Sequence, residues 1–109
     1  MVISRNKYRA RKAEIDGLTF DSNKECTRYM ELKLLVKAGE IKELVVHPIY
    51  RLDVNDEHIC KYIADFNYKD KNGRVVVEDV KSPVTKKLPT YRLKKKLLHA
   101  IYGLDILET

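Results

Sequence analysis

Apolar positions recur in two different rhythms along this chain. From Ser22 to Gly39 they fall at helical spacing, on Tyr29, Leu32, Leu35 and Val36. Ser22 and Glu25 make an S-x-x-E capping box at the start of that segment, and Gly39 supplies its stop. The rhythm then shortens to two. Ile41 to Leu52 is strand-like around Leu44-Val45-Val46 and Ile49-Tyr50, with Pro48 requiring a bulge or an edge position because it cannot donate to a ladder. Residues 59–68, I-C-K-Y-I-A-D-F-N-Y, alternate as one strand, and Val75-Val76-Val77 opens another. Helical spacing returns from Pro89, at a first helical position, through Tyr91 and Ile101 to Gly103. Residues 104–107, L-D-I-L, form a last short strand. The predicted order is helix, three strands, helix, strand. Ahead of it, Asp16-Gly17 is a turn, Leu18-Thr19-Phe20 is a short strand or an anchor, and residues 1–16 read as a basic, mobile arm before a domain at 17–109.

The third strand ends unusually, in V-V-V-E-D-V-K-S-P at 75–83. Charge is costly to bury unless it is paired or bound to metal. The turn before this strand decides what its acids meet. A two-residue Asn72-Gly73 loop puts Asp65 opposite Val80. A three-residue Lys71-Asn72-Gly73 loop, with Gly73 in the left-handed region, pairs Asp70 with Arg74 and sets Asp65 opposite Asp79 on one face. The second register is the expectation here. Facing carboxylates repel unless a cation lies between them, and oxygen donors suit Mg²⁺ or Mn²⁺. Asp65 and Asp79 are therefore candidate metal ligands, with the Val80 backbone carbonyl as a third. Lys81 lies on the Asp79 face and is a candidate for stabilising charge on a phosphate. Glu25, in the first helical turn, either completes the site or serves only as a cap. Glu78 is expected on the opposite face, as a surface or ion-pair residue. His47, His58 and His99 are scattered and are not assigned as ligands.

Charge changes the picture further. The net charge is +6, but residues 1–14 hold +4 and residues 81–96 hold +7, leaving an acidic body of −5. Two concentrated basic segments on an acidic body suit a polyanion, of which nucleic acid is the commonest. The candidate contacts are Arg5, Lys7, Arg9, Arg11 and Lys12 in the arm, and Lys86, Lys87, Tyr91, Arg92, Lys95 and Lys96 around the second helix. Tyr8, Tyr91 and Tyr102 are read as core or as stacking on bases, with core preferred for Tyr102. A length of 109 residues suits one domain. No stretch is long enough to span a bilayer, and Cys26 and Cys60 read as reduced thiols of a cytosolic protein.

Asp65, then Asp79-Val80-Lys81, with the helix-borne Glu25 upstream, resembles the PD-(D/E)XK nuclease superfamily. More specifically, KYRARK at 7–12, DGLTFDSNKE at 16–25, RYMELKLLVKAGEI at 28–41, YIADFNY at 62–68, VVEDVKS at 76–82 and YRLKKKLL at 91–98 resemble a DUF1064-like family of small phage and prophage proteins similar to Holliday-junction-resolving endonucleases. The resemblance implies an α/β (α+β) fold with a restriction-endonuclease-like αβββαβ core, a mixed sheet flanked by helices. It implies metal ligation by Asp65 and Asp79, catalysis by Lys81 and a supporting role for Glu25. Ala64 stands where the superfamily motif names Pro, and Ser82 where Gly is common.

The expected function is thus that of a Mg²⁺- or Mn²⁺-dependent, structure-selective DNA endonuclease, a resolvase of four-way junctions in the bacterial host cytoplasm. A homodimer is expected because a junction has near two-fold symmetry and needs two cuts. The alternative is a nucleic-acid-binding protein without catalysis on the same scaffold.

Overall fold

The structure, a computed structural model, describes residues 12–109. Helix α1 spans Asn23–Lys37. It starts where expected because the Ser22 hydroxyl accepts the Glu25 amide at 3.1 Å. It ends in a Schellman arrangement, with Gly39 N–H on the Val36 carbonyl, Glu40 N–H on the Leu35 carbonyl, and Gly39 at φ +76°. Helix α2 spans Pro89–Tyr102, with proline in its first turn and Gly103 left-handed at its end.

Eight strands accompany the helices among the described residues: β1 (Ala13–Ile15), β2 (Leu18–Phe20), β3 (Lys42–Val46), β4 (Ile49–Val54), β5 (Glu57–Ile63), β6 (Phe66–Lys69), β7 (Val75–Asp79) and β8 (Ile106–Glu108). β3, β6, β7 and β8 form one sheet in that order, antiparallel except for the parallel β7–β8 pair. β1–β2 and β4–β5 are separate hairpins. The fold is thus mixed α+β, and the predicted sequence of helix, three strand regions, helix and strand is retained. Ala13–Ile15, read from sequence as the end of a mobile arm, instead pairs with β2 across the Asp16-Gly17 turn, where both residues have positive φ. Residues 1–11 of the predicted arm lie outside the described residues.

The run at 59–68 is not one flat strand. Its register against Ile41–Leu52 is continuous, since Val46 pairs with Phe66 and Ile49 with Ile63. Between those pairs the ribbon bends. His47 takes φ +54°, Pro48 is buried, and the crossing bonds are His47 N–H to the Asp65 carbonyl at 2.9 Å and Ala64 N–H to the Pro48 carbonyl at 3.1 Å. The inner half of this long hairpin joins the four-stranded sheet as β3 and β6. The outer half, β4 and β5, leaves it to pack on α2. Pro48 therefore marks both an edge strand and a bend.

Two apolar layers follow. Phe20, Tyr29, Leu32, Ile41, Phe66 and Tyr68 close the α1 face, while Leu52, Tyr62, Ala64, Val77, Tyr91, Leu98 and Ile106 close the α2 face. Full burial of Phe20, Leu32, Leu52, Phe66 and Leu98 contributes roughly 2 kcal/mol each. Tyr102, expected in the core, is half-exposed and donates its hydroxyl to the Arg51 carbonyl. Val36, expected on the packed face of α1, is also largely exposed. Cys26 and Cys60 are both free, one against each layer.

Candidate metal centre

The predicted three-residue turn forms. Asp70 N–H donates to the Arg74 carbonyl, the Asp70 carboxylate accepts the amides of Asn72 and Arg74, and Gly73 adopts φ +79°. Phe66 then pairs with Glu78, which carries Asp65 opposite Asp79. The same level of the sheet continues outward on both sides. His47 stands opposite Asp65 in the continuous register, and Asp79 pairs with Glu108. Four strand regions thus bring His47, Asp65, Asp79 and Glu108 into one row, and residues directly opposite in a ladder share a face.

The two aspartates hold each other in place. Asp65 N–H donates to Asp79 Oδ1 at 2.8 Å, and Val80 N–H donates to Asp65 Oδ2 at 2.7 Å. This reciprocal capping satisfies two amides where the ladder gives out. Asp79 is 1% exposed, and among the described residues its second oxygen, Oδ2, accepts no hydrogen bond. Lys81 Nζ lies 3.6 Å from that oxygen and 4.5 Å from the centre of the Tyr91 ring. Tyr91 in turn donates to Glu108 at 2.6 Å, and Lys95 reaches the same carboxylate oxygen at 3.4 Å.

Glu25 comes from α1. Its side chain does not return to the Ser22 amide as a capping box would have it. Instead Oε1 lies 3.0 Å from His47 Nε2. One donor atom each from Glu25, His47 and Asp65 lies within 4.8 Å of the others. His47 was not singled out in the sequence. Its signal was the His-Pro step interrupting a strand, at the position directly opposite Asp65. Glu108 was also missed, because its place depends on the parallel register of β8.

Electrostatics favour a cation here. Burial raises the Asp65 carboxyl above its ordinary value, opposed by the Val80 amide and by Lys81 and His47. Burial raises Asp79 likewise, opposed mainly by Lys81. Burial raises Glu25 too, opposed by its bond to His47 and reinforced by the Asp65 charge. Two buried carboxyls and one half-buried, all shifted toward the protonated form, with a buried carboxylate oxygen that accepts no hydrogen bond and one imidazole nitrogen, form a donor set that fits a divalent ion.

Glu78 does face away, as expected, but it is buried rather than at the surface. On the α1 side Arg28 donates to it from Nε at 2.6 Å and Nη2 at 3.0 Å, and the Tyr68 hydroxyl donates at 2.8 Å. Burial and the Glu78 carboxylate push the Tyr68 hydroxyl up to about 12. The carboxylate bond drives Arg28 further above its ordinary value.

Among the predicted nucleic-acid contacts, Lys12, Lys86, Lys87, Arg92 and Lys96 are exposed. Arg5, Lys7, Arg9 and Arg11, with Tyr8, lie outside the described residues. Tyr91 is not free to stack on a base: its ring is 8% exposed beneath Lys81. Lys95 is tied to Glu108. A groove beside Lys81 is lined also by Lys61, Ile63, Leu88 and Lys94; Lys94 belongs to the predicted basic segment at 81–96, whereas Lys61 was not anticipated. Ser82, after the lysine, exchanges hydrogen bonds with Thr85 and fixes a short 3-10 turn at Thr85–Lys87.

The model of a family described as "Protein of unknown function (DUF1064)" matches residues 5–106. That is nearly the whole chain, and the chain belongs to this family. No curated protein and no solved structure matches it.

Proposed function

We propose that this member of DUF1064 is a divalent-metal-dependent DNA endonuclease with a restriction-endonuclease-like αβββαβ core, acting on branched DNA as a resolvase of four-way junctions. The observation that carries the reading is the row at the sheet end: Asp65 opposite Asp79, with Lys81 Nζ 3.6 Å from a buried Asp79 oxygen that has no hydrogen-bond donor. Asp65, Asp79 and the Val80 carbonyl would hold Mg²⁺ or Mn²⁺. When bound, such an ion acidifies a water and offsets the charge that develops on a phosphate under attack.

The chain's own groups supply the rest. Asp79 and the Tyr91 ring hold the Lys81 ammonium at the site, where it offsets phosphate charge without having to be reoriented. Glu108 fixes Tyr91 from behind through its hydroxyl. Glu25 adds a third carboxylate from α1. The lysine-lined groove beside Lys81 would track the sugar-phosphate strand, with Lys86, Arg92 and Lys96 on the adjoining α2 surface. Two copies acting together would make the paired cuts that a junction requires, in the bacterial host cytoplasm where such DNA is met. No helix among the described residues is long and apolar enough to cross a membrane.

The test sets a four-way junction beside a linear duplex of the same sequence, with Mg²⁺ or Mn²⁺. The expected outcome is metal-dependent cleavage favouring the junction, reduced by about 100-fold or more in Asp79→Ala and in Lys81→Met. Absence of cleavage on any DNA, with binding that ignores metal, would leave the alternative: a nucleic-acid-binding protein that has kept the scaffold alone.

A further inference from the structure

We propose that His47 is a metal ligand, and that Glu25, His47 and Asp65 form a second, nitrogen-bearing cation subsite that shares Asp65 with the Asp65–Asp79 subsite and selects Mn²⁺-like transition ions over Mg²⁺. The inference rests on the reading of Asp65 and Asp79 as a cation site, but not on cleavage.

Three observations support it. His47 Nε2 is 3.0 Å from Glu25 Oε1, and donor atoms of Glu25, His47 and Asp65 converge within 4.8 Å. Two acids from different elements are brought together there with a single imidazole between strand and helix. Secondly, the adjoining Asp79 Oδ2 is buried and accepts no hydrogen bond among the described residues: Lys81 Nζ stands off at 3.6 Å, and the Asp65 amide is taken by the other oxygen. An unsatisfied carboxylate oxygen beside the cluster points independently to a ligand absent from the protein's own bonding. Thirdly, the backbone holds the imidazole there by position. His47 lies opposite Asp65 across the ladder, its own amide bound to the Asp65 carbonyl.

The chemistry sets the selectivity. Mg²⁺ prefers all-oxygen, octahedral surroundings and gives up water reluctantly. Imidazole nitrogen is a softer donor that first-row transition ions accept more readily than Mg²⁺ does; Mn²⁺ gains least among them and the later ions more. An oxygen-only site at Asp65 and Asp79 would accept either ion. A site that adds His47 would favour the transition ion. His58 and His99 serve as internal controls, since each is bound to a surface aspartate, Asp53 and Asp105, away from this row.

The test is electron spin-echo spectroscopy of Mn²⁺ on the full-length protein, unlabelled and with ¹⁵N-histidine, together with calorimetric titrations of Mn²⁺ and Mg²⁺. The expected result is a nitrogen coupling that changes with the histidine label. It should vanish in His47→Gln and persist in His58→Gln and His99→Gln. Mn²⁺ affinity should fall about tenfold in His47→Gln, with a smaller change for Mg²⁺. Mn²⁺ binding without a histidine coupling in the wild type, or a coupling that survives His47→Gln, would overturn the inference and leave the Asp65–Asp79 reading standing. Absence of any Mn²⁺ or Mg²⁺ binding by the wild type would overturn both. The wild-type label comparison needs no variant, so a misfolded substitution cannot shield the proposal.

Discussion

Glu78 and Asp79 are adjacent and both buried, yet their carboxylates meet opposite fates. Glu78 receives two bonds from Arg28 and one from Tyr68, so its charge is compensated by the protein itself. Removing such a partner leaves a buried charge or an unfilled site. Glu78→Ala should therefore lower unfolding stability by about 3 kcal/mol in chemical denaturation, with or without metal. Asp79 is compensated only in part, by one amide and Lys81. Its folded pKa lies above the ordinary 3.8, so the folded state binds the proton more tightly than the unfolded chain does. That contribution to stability is present at low pH and is lost as pH rises from 3.8 through the raised folded value. Asp79→Asn keeps an oxygen for the Asp65 amide and removes the titration. With a chelator present, the variant should gain on the wild type as pH rises through that window. Added Mn²⁺ should stabilise the wild type more than the variant, which keeps Glu25, His47 and Asp65 but lacks the Asp79 charge. Equal pH dependence of the two proteins would show that Asp79 carries no such strain.

At the scale of elements, the β6–β7 hairpin carries the site, and it was legible because its turn chemistry is local. Asp70 and Gly73 specify a three-residue turn, the turn specifies the register, and the register places Asp65 opposite Asp79. The limits of α1 were legible for the same reason, from Ser22 at one end and Gly39 at the other. The bend at His47-Pro48 was legible from one strand only: Pro48 requires a bulge or an edge there. Nothing within residues 59–68 announces it, since Ala64 and Asp65 continue the alternation, and the parting of the outer hairpin from the sheet is a tertiary feature. With it went His47, and with the distant parallel pairing of β8 went Glu108. The turn can be tested directly. Gly73 has open space around it but φ +79°, so Gly73→Ala should cost about 1 kcal/mol, whereas Gly73→Asn should cost less because asparagine tolerates that region. Equal stabilities in thermal unfolding would count against this account of the register.

Over the whole molecule, the basic character divides into free and committed charge. Lys95, one of the expected contacts, is committed to Glu108, while Lys61 and Lys94 line the groove beside Lys81. If the chain binds DNA as proposed, that binding measured against salt should respond unequally. Lys61→Ala and Lys94→Ala should each weaken binding and reduce the log–log salt slope by about 1, while Lys95→Ala should change the slope less. A larger effect at Lys95 would place the strand along α2 instead of the groove.

The bent hairpin has one more consequence. The same two strands are inner sheet at one end and outer layer at the other, with the turn at Asn55-Asp56 at their tip. His47 and Asp65 sit at the crease. The hairpin is thus a lever with its fulcrum at the proposed cation site: under the proposed function, a load on the tip from a DNA arm or a second subunit would press on the crease, and an ion held there would resist the bending.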